Sequence, residues 1–142
     1  MILLGSDALS RFLNRTAGIP FAWGRNDCLL WLADWIAERH GIDTAADLRG
    51  SYSTMLGAAR IVRAGRGMVR LVGERVSALG LASVKSGARG DIAVVSVGGA
   101  GGEHFGNQAG AILLGGSAAL LSQAGLVMPR RSDVSIVAAW SV

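Results

Sequence analysis

Residues 21–39 read Phe-Ala-Trp-Gly-Arg-Asn-Asp-Cys-Leu-Leu-Trp-Leu-Ala-Asp-Trp-Ile-Ala-Glu-Arg. From Cys28 onward, nine of the twelve residues in this stretch are apolar, and a helix that is apolar nearly all round is typical of a buried central element. Asn26 or Asp27 offers a side chain for its N-cap, and Gly41 stands just beyond its end, as a C-cap does. The pattern predicts a buried helix over residues 28–39 that begins at the cysteine.

The rest of the chain predicts helices first and strands afterwards. Further helices are expected at residues 6–13, 54–64 and 68–79, the last two joined or bent at glycines 65 and 67. Beyond residue 81 the apolar segments are short, often β-branched and separated by glycines, which is typical of antiparallel strands. These segments are residues 82–84, 91–97, 108–114, 118–123 and 135–140. This order predicts an α+β fold.

The length of 142 residues fits one domain over residues 1–142, with a helical part at about 1–80 and a sheet part at about 81–142 on one core. Apolar residues make up 51% of the chain and charged residues 17%, which excludes a disordered protein. One cysteine excludes an internal disulfide, and two histidines argue against a histidine-rich metal centre. We therefore expect no metal and no cofactor.

A long uncharged stretch, residues 105–129, raises the question of a membrane span. It contains Asn107, Gln108, Ser122 and Gln123, whose polar groups would be left unpaired in a bilayer. The stretch therefore predicts two short strands, and no membrane span.

The chain carries a net charge of +4, and Lys85 is its only lysine. Four arginines spaced three to four residues apart would line one helical face; they are Arg60, Arg63, Arg66 and Arg70. We interpret this as a solvated face, with an acidic partner as the alternative. No aromatic residues alternate with these arginines, so nucleic acid is not expected as a partner.

Cys28 is the candidate nucleophile. It would lie in the first turn of the buried helix, where the helix dipole favours a thiolate and is expected to lower the pKa of the thiol. The alternative is a small buried hydrophobic residue. Trp23 is a candidate to line a groove for a sugar or peptide, and Asp27 is either the helix cap or a neighbour of the reacting group.

Three segments resemble those of the NlpC-type cell-wall cysteine peptidases, which belong to the papain-fold superfamily. Trp23-Gly24 and Asp27-Cys28 resemble the nucleophile segment, and Gly90-Asp91 resembles the Gly-Asp that opens the first strand of that sheet. The segment from Gln108 to Gly110 resembles the strand that begins His-Val-Gly in the peptidases. The resemblance covers residues 21–123 and implies a papain-like fold with Cys28 at the nucleophile position.

The chain departs from that family where the general base is expected. The catalytic histidine of the family falls on Gln108, and glutamine cannot take the thiol proton. The third polar position, which orients the histidine, falls near Gln123. His104 is a substitute base if the glycine-rich loop around it folds over the cleft. His40 is excluded, since it lies about 18 Å from Cys28 by helix rise.

Two further segments, Arg49-Gly50-Ser51-Tyr52 and Ala139-Trp140, point to a narrower group of proteins. Together with the nucleophile segment they resemble tail proteins of tailed phages and gene transfer agents. The resemblance implies a tail-tip or baseplate component of the particle, with other tail-tip and hub proteins as partners. The expectation is a catalytically degenerate fold that acts in tail assembly. The alternative is an active peptidoglycan endopeptidase or amidase that uses Cys28.

Overall fold

A computed structural model describes residues 5–97, 105 and 107–142. Within these residues the chain forms four α-helices and a six-stranded antiparallel sheet, so the predicted α+β class is confirmed. The helices are α1 (Ala8–Thr16), α2 (Cys28–His40), α3 (Met55–Ala64) and α4 (Met68–Ala78). None of these helices is long and apolar enough to cross a bilayer.

Side chains fix where three of the helices begin. Asp7 caps α1, Asp27 caps α2 and Thr54 caps α3, each accepting a hydrogen bond from a backbone N–H in the first turn. At the other end of α2, Gly41 takes the left-handed conformation of a C-cap, at φ 73°. The predicted first helix, residues 6–13, is shifted: α1 begins after Asp7 and continues to Thr16.

All six strands pair with antiparallel neighbours in the order β1-β6-β2-β3-β4-β5. They are β1 (Ser83–Val84), β2 (Ile92–Ser96), β3 (Gln108–Leu113), β4 (Ala118–Ser122), β5 (Gly125–Val127) and β6 (Ser135–Trp140). The prediction of two strands within residues 105–129 was wrong by one, because β5 was missed. Ser122 pairs with Gly125 across a two-residue turn, which makes β4 and β5 a tight hairpin.

Both faces of the sheet are apolar and buried, because successive side chains of a strand point to opposite sides. One face joins the helices in the main core; its strand residues include Ile92, Val94, Ile112, Leu121 and Trp140. The opposite face has its own buried cluster, which includes Ala93, Val95, Ala111, Leu113 and Ala139. The predicted central helix is confirmed, since Trp31 and Trp35 of α2 are almost fully buried in the main core.

Helix α2 lies on β3 at a glycine. A Cβ atom on Gly110 would stand 2.7 Å from Leu32 Cδ1 and 3.3 Å from the carbonyl oxygen of Cys28. The absence of a side chain at this position therefore lets the first turns of α2 approach the sheet. Trp35 Nε1 adds a second link, since it donates to the carbonyl of Gly90 at 2.8 Å.

The four arginines of the predicted helical face do not share one helix. Helix α3 ends at Ala64, and Arg66 lies in the turn before α4 with a left-handed φ of 64°. Arg70 is on α4 and is paired with Glu74 at 2.7 Å. The continuous face was wrong because the glycines around Arg66 end the first helix.

We expect Gly110→Ala to lower the free energy of unfolding by about 1–3 kcal/mol, since the added methyl group overpacks a buried contact. Gly116→Ala is the matched control, because a Cβ atom there meets nothing within 4 Å. Urea unfolding followed by tryptophan fluorescence measures both changes. Equal stability of the two variants would show that the approach of α2 to β3 is not tight.

Candidate functional site

The carboxylate of Asp27 is the centre of the site. Its Oδ1 accepts hydrogen bonds from the backbone N–H groups of Leu29 and Leu30, at 3.2 and 3.0 Å. Its Oδ2 accepts from the N–H of Gly24 at 3.0 Å and from the hydroxyl of Tyr52 at 2.5 Å. The side chain is buried, with 1% of the residue exposed. Asp27 therefore caps α2 and also joins the preceding loop and a distant segment to that cap.

The segment around Tyr52 closes tightly over the loop before α2. Gly24 has φ 81°, and a Cβ atom on it would lie 1.8 Å from the carbonyl oxygen of Tyr52. Only glycine fits this approach, and its carbonyl also accepts from the N–H of Gly50 at 2.9 Å. Arg49 ties the same segment to α2 through an ion pair with Asp34 at 2.7 Å. The loop before Cys28 is thus fixed by contacts on two sides.

Cys28 is half-buried at the start of α2. Burial raises the pKa of its thiol to about 11, the negative charge of Asp27 adds to the rise, and the backbone N–H of Gly110 opposes it. The expectation of a lowered pKa was wrong, because burial and an adjacent carboxylate outweigh the helix dipole. The reactive form of a cysteine is the thiolate. At neutral pH Cys28 is instead a thiol.

Gln108 begins β3, two residues before Gly110, and so lies on the face of the sheet that α2 covers. The N–H of Gly110 interacts with the thiol of Cys28. Gln108 lies two residues before Gly110 on the same strand and therefore on the same face of the sheet. An amide at this position carries no charge that would lower the pKa of the thiol.

Trp23 belongs to a group of three aromatic side chains beside the loop. Its ring meets Phe21 edge-on at a centroid distance of 4.7 Å and stacks on Phe105 at 5.9 Å. The ring is half-buried. Trp23 therefore packs against two aromatic neighbours, one of which is Phe105 from the segment before β3.

The other predicted site residues are not brought into this network. Gln123 is exposed in the turn between β4 and β5. His104 lies outside the described residues. His40 is exposed at the last position of α2, the end opposite Cys28. The site that the described residues form therefore consists of Asp27, Cys28 and their contacts.

Gly90 and Asp91 have a structural role. Asp91 Oδ2 accepts from the N–H of Ala88 at 2.7 Å, and Oδ1 accepts from the N–H of Val142 at 3.1 Å. Gly90 has a left-handed φ of 92°, and its carbonyl oxygen accepts a hydrogen bond from the indole N–H of Trp35. The pair shapes the turn into β2 and holds the last residue of the chain against it.

The contact between Tyr52 and Asp27 was not predicted from the sequence. The two residues are 25 positions apart, and no local pattern links them. Burial, followed by the hydrogen bond to Asp27 and its charge, raises the pKa of Tyr52, so the hydroxyl stays protonated and continues to donate. Within the described ranges, no three histidine, cysteine, aspartate or glutamate side chains lie together as a metal site would require.

We expect Asp27→Ala to lower the free energy of unfolding by about 2–4 kcal/mol. The change removes a helix cap and leaves the N–H of Gly24 and the hydroxyl of Tyr52 without their acceptor. Thr54→Ala is the matched control, because Thr54 caps α3 through one hydrogen bond at an exposed position. Its expected loss is about 1 kcal/mol. Denaturant unfolding of both variants tests the difference, and equal losses would contradict the network.

The thiol of Cys28 is also expected to make stability depend on pH. The folded protein keeps this proton to about pH 11, whereas an unfolded thiol releases it near pH 8.5. The unfolded state therefore binds fewer protons between about pH 9 and 11, and stability falls as pH rises through that window. Subtracting the curve of Cys28→Ser removes the contribution of other groups. Parallel curves for the two proteins would contradict the raised pKa.

Comparison with known proteins identifies a family for this chain, and the function of that family is not known. No curated protein and no solved structure matches the chain. The family DUF6950, described as a domain of unknown function, matches residues 5–142. The chain therefore belongs to the DUF6950 family.

Proposed function

We propose that this chain is a papain-like, NlpC-type fold that has lost peptidase activity and serves as a structural component of a phage or phage-like tail tip. The observation that carries the proposal is the pairing of Cys28, at the start of the buried helix α2, with a strand that begins in Gln108. The resemblance implies a histidine at the start of this strand in the peptidases, and this chain has an amide there.

The order of the elements supports the papain-like part. A cysteine opens a central helix, that helix lies on an antiparallel sheet, and the strand with Gly110 passes directly beneath the first turn. The Gly90-Asp91 pair stands at the start of β2, as the resemblance implies. These features agree with the resemblance without depending on any single short motif.

The chemistry of Cys28 supports the loss of activity. Acyl transfer by a cysteine needs a thiolate, or a base that removes the thiol proton during attack. Burial and Asp27 instead hold the proton on the thiol at neutral pH, with a pKa of about 11. Gln108 supplies neither a base nor a positive charge. The described residues around Cys28 therefore favour a scaffold over a nucleophile.

The tail-tip context rests on the segments that resemble phage and gene-transfer-agent tail proteins. One of them, Arg49 to Tyr52, has a clear physical role here, because it clamps the loop before α2 through Gly50 and Tyr52. A fold whose former site is locked by such contacts suits a component that must stay rigid within an assembly. Its partners would be other tail-tip and hub proteins, and its location the virion tail.

The rival function is an active peptidoglycan endopeptidase or amidase with Cys28 as nucleophile, His104 as base and Gln123 as the orienting residue. It shares the cysteine with our proposal and differs in whether the thiol reacts. Cleavage of the peptide stems is the direct way to separate the two.

We expect the purified protein to release no more amino groups from peptidoglycan or from a synthetic stem peptide than Cys28→Ala does. Cleavage that both Cys28→Ala and His104→Ala abolish would establish the rival function. In cells that make the particle, removal of the chain should prevent assembly of intact tails, and Cys28→Ala should restore them. Normal tails without the chain would overturn the structural role.

A further inference from the structure

A groove lies between the turn that joins α3 to α4 and the start of β3. The residues that give it its character are Val62, Arg63, Arg66, Met68, Phe105 and Gln108. It combines an apolar floor with two cationic side chains and one amide. One of the residues that line the groove, Gln108, begins the strand that carries Gly110 beneath α2.

Two arginines give the groove its charge. Arg63 and Arg66 are exposed, and neither forms an ion pair with any described residue. By contrast, Arg70 on the next helix is paired with Glu74, and Arg75 is paired with Asp47. The two groove arginines thus present guanidinium groups whose donors are not taken up by carboxylates of the described chain.

The backbone at Arg66 fixes the turn that carries its side chain. Its φ of 64° is left-handed, and the N–H of Gly67 donates to the carbonyl of Val62 at 2.9 Å, which closes the end of α3. Glycine is the residue that this position of a helix end normally favours. Arg66 takes the left-handed conformation that glycine adopts at lower cost, so replacement by glycine removes the side chain and keeps the turn.

We propose that this groove binds an acidic peptide segment of a partner protein. Guanidinium groups pair with carboxylates through two parallel hydrogen bonds, and Gln108 offers both a donor and an acceptor to a peptide group. Val62 and Met68, both buried, line the groove with apolar atoms that suit aliphatic side chains, and Phe105 adds an aromatic ring. An apolar floor suits a peptide better than the phosphates of a nucleic acid.

The groove and its two arginines are present whether or not the chain is related to the cysteine peptidases. The proposed binding is also more specific than a general attraction between a basic protein and an acidic one. It requires Arg63 and Arg66 but not Arg60. Arg60 is an exposed arginine on the same helix that does not line the groove. The chain therefore contains its own control for net charge.

The test measures binding of a fluorescent, end-blocked peptide, Gly-Glu-Leu-Glu-Gly, by anisotropy. We expect Arg63→Gln and Arg66→Gln each to weaken binding about tenfold, the loss of one charge-assisted pair. Arg60→Gln, with the same change of charge, should bind as the wild type does. The peptide Gly-Gln-Leu-Gln-Gly should bind far more weakly.

Arg66→Gly separates binding from folding. It relieves the left-handed strain, so its Tm should be at least that of the wild type, while its affinity falls as for Arg66→Gln. Equal binding by Arg60→Gln and the groove variants, equal binding of the two peptides, or binding of neither would overturn the proposal. Tighter binding of a single-stranded oligonucleotide than of the acidic peptide would overturn it in favour of nucleic acid.

Discussion

The hydrogen bonds of the Asp27 carboxylate are the constraint on which the site depends. One oxygen caps α2, and the other holds the loop at Gly24 and the hydroxyl of Tyr52. A buried carboxylate is costly unless it is hydrogen-bonded, and these four contacts offset that cost. They set where α2 begins, and the close approach at Gly110 sets how that beginning lies on the sheet.

The same constraint decides the chemistry of Cys28. A carboxylate that stabilises the helix start also places a negative charge beside the thiol, which raises the pKa of that thiol together with burial. An active cysteine enzyme offsets such effects with a neighbouring imidazolium. Here the corresponding strand begins with Gln108, which has no charge to offer. Stability and reactivity therefore oppose each other at this position, and the described contacts favour stability.

Local patterns predicted most of the fold. Residues close in sequence set the apolar run of α2, its C-cap at Gly41 and its N-cap, for which Asn26 and Asp27 were the candidates, so these features could be predicted. The short strand β5 was missed because its three residues carry little periodicity. The predicted arginine face was wrong because the three-to-four-residue spacing was counted across the break at glycines 65 and 67, where α3 ends.

The site was harder to predict than the fold, because its properties arise from tertiary contacts. Asp27 was one of two candidates for the cap of α2, and its bond to Tyr52, which joins residues 25 positions apart, was not foreseen. The helix dipole was a valid local argument for a low pKa of Cys28, and it was outweighed by burial, which sequence does not show. The groove could not be predicted from the sequence, because it forms only where folding brings the turn at Arg66 next to the start of β3 at Gln108.

The most direct measurement of this account is the S–H stretching band of Cys28 in the Raman spectrum of the folded protein. The chain has one cysteine, so the band has a single source. The account predicts that the band persists through neutral pH and disappears only as pH approaches 11. Loss of the band at or below about pH 7, where an activated thiol ionises, would show a thiolate beside Asp27 and contradict the scaffold interpretation.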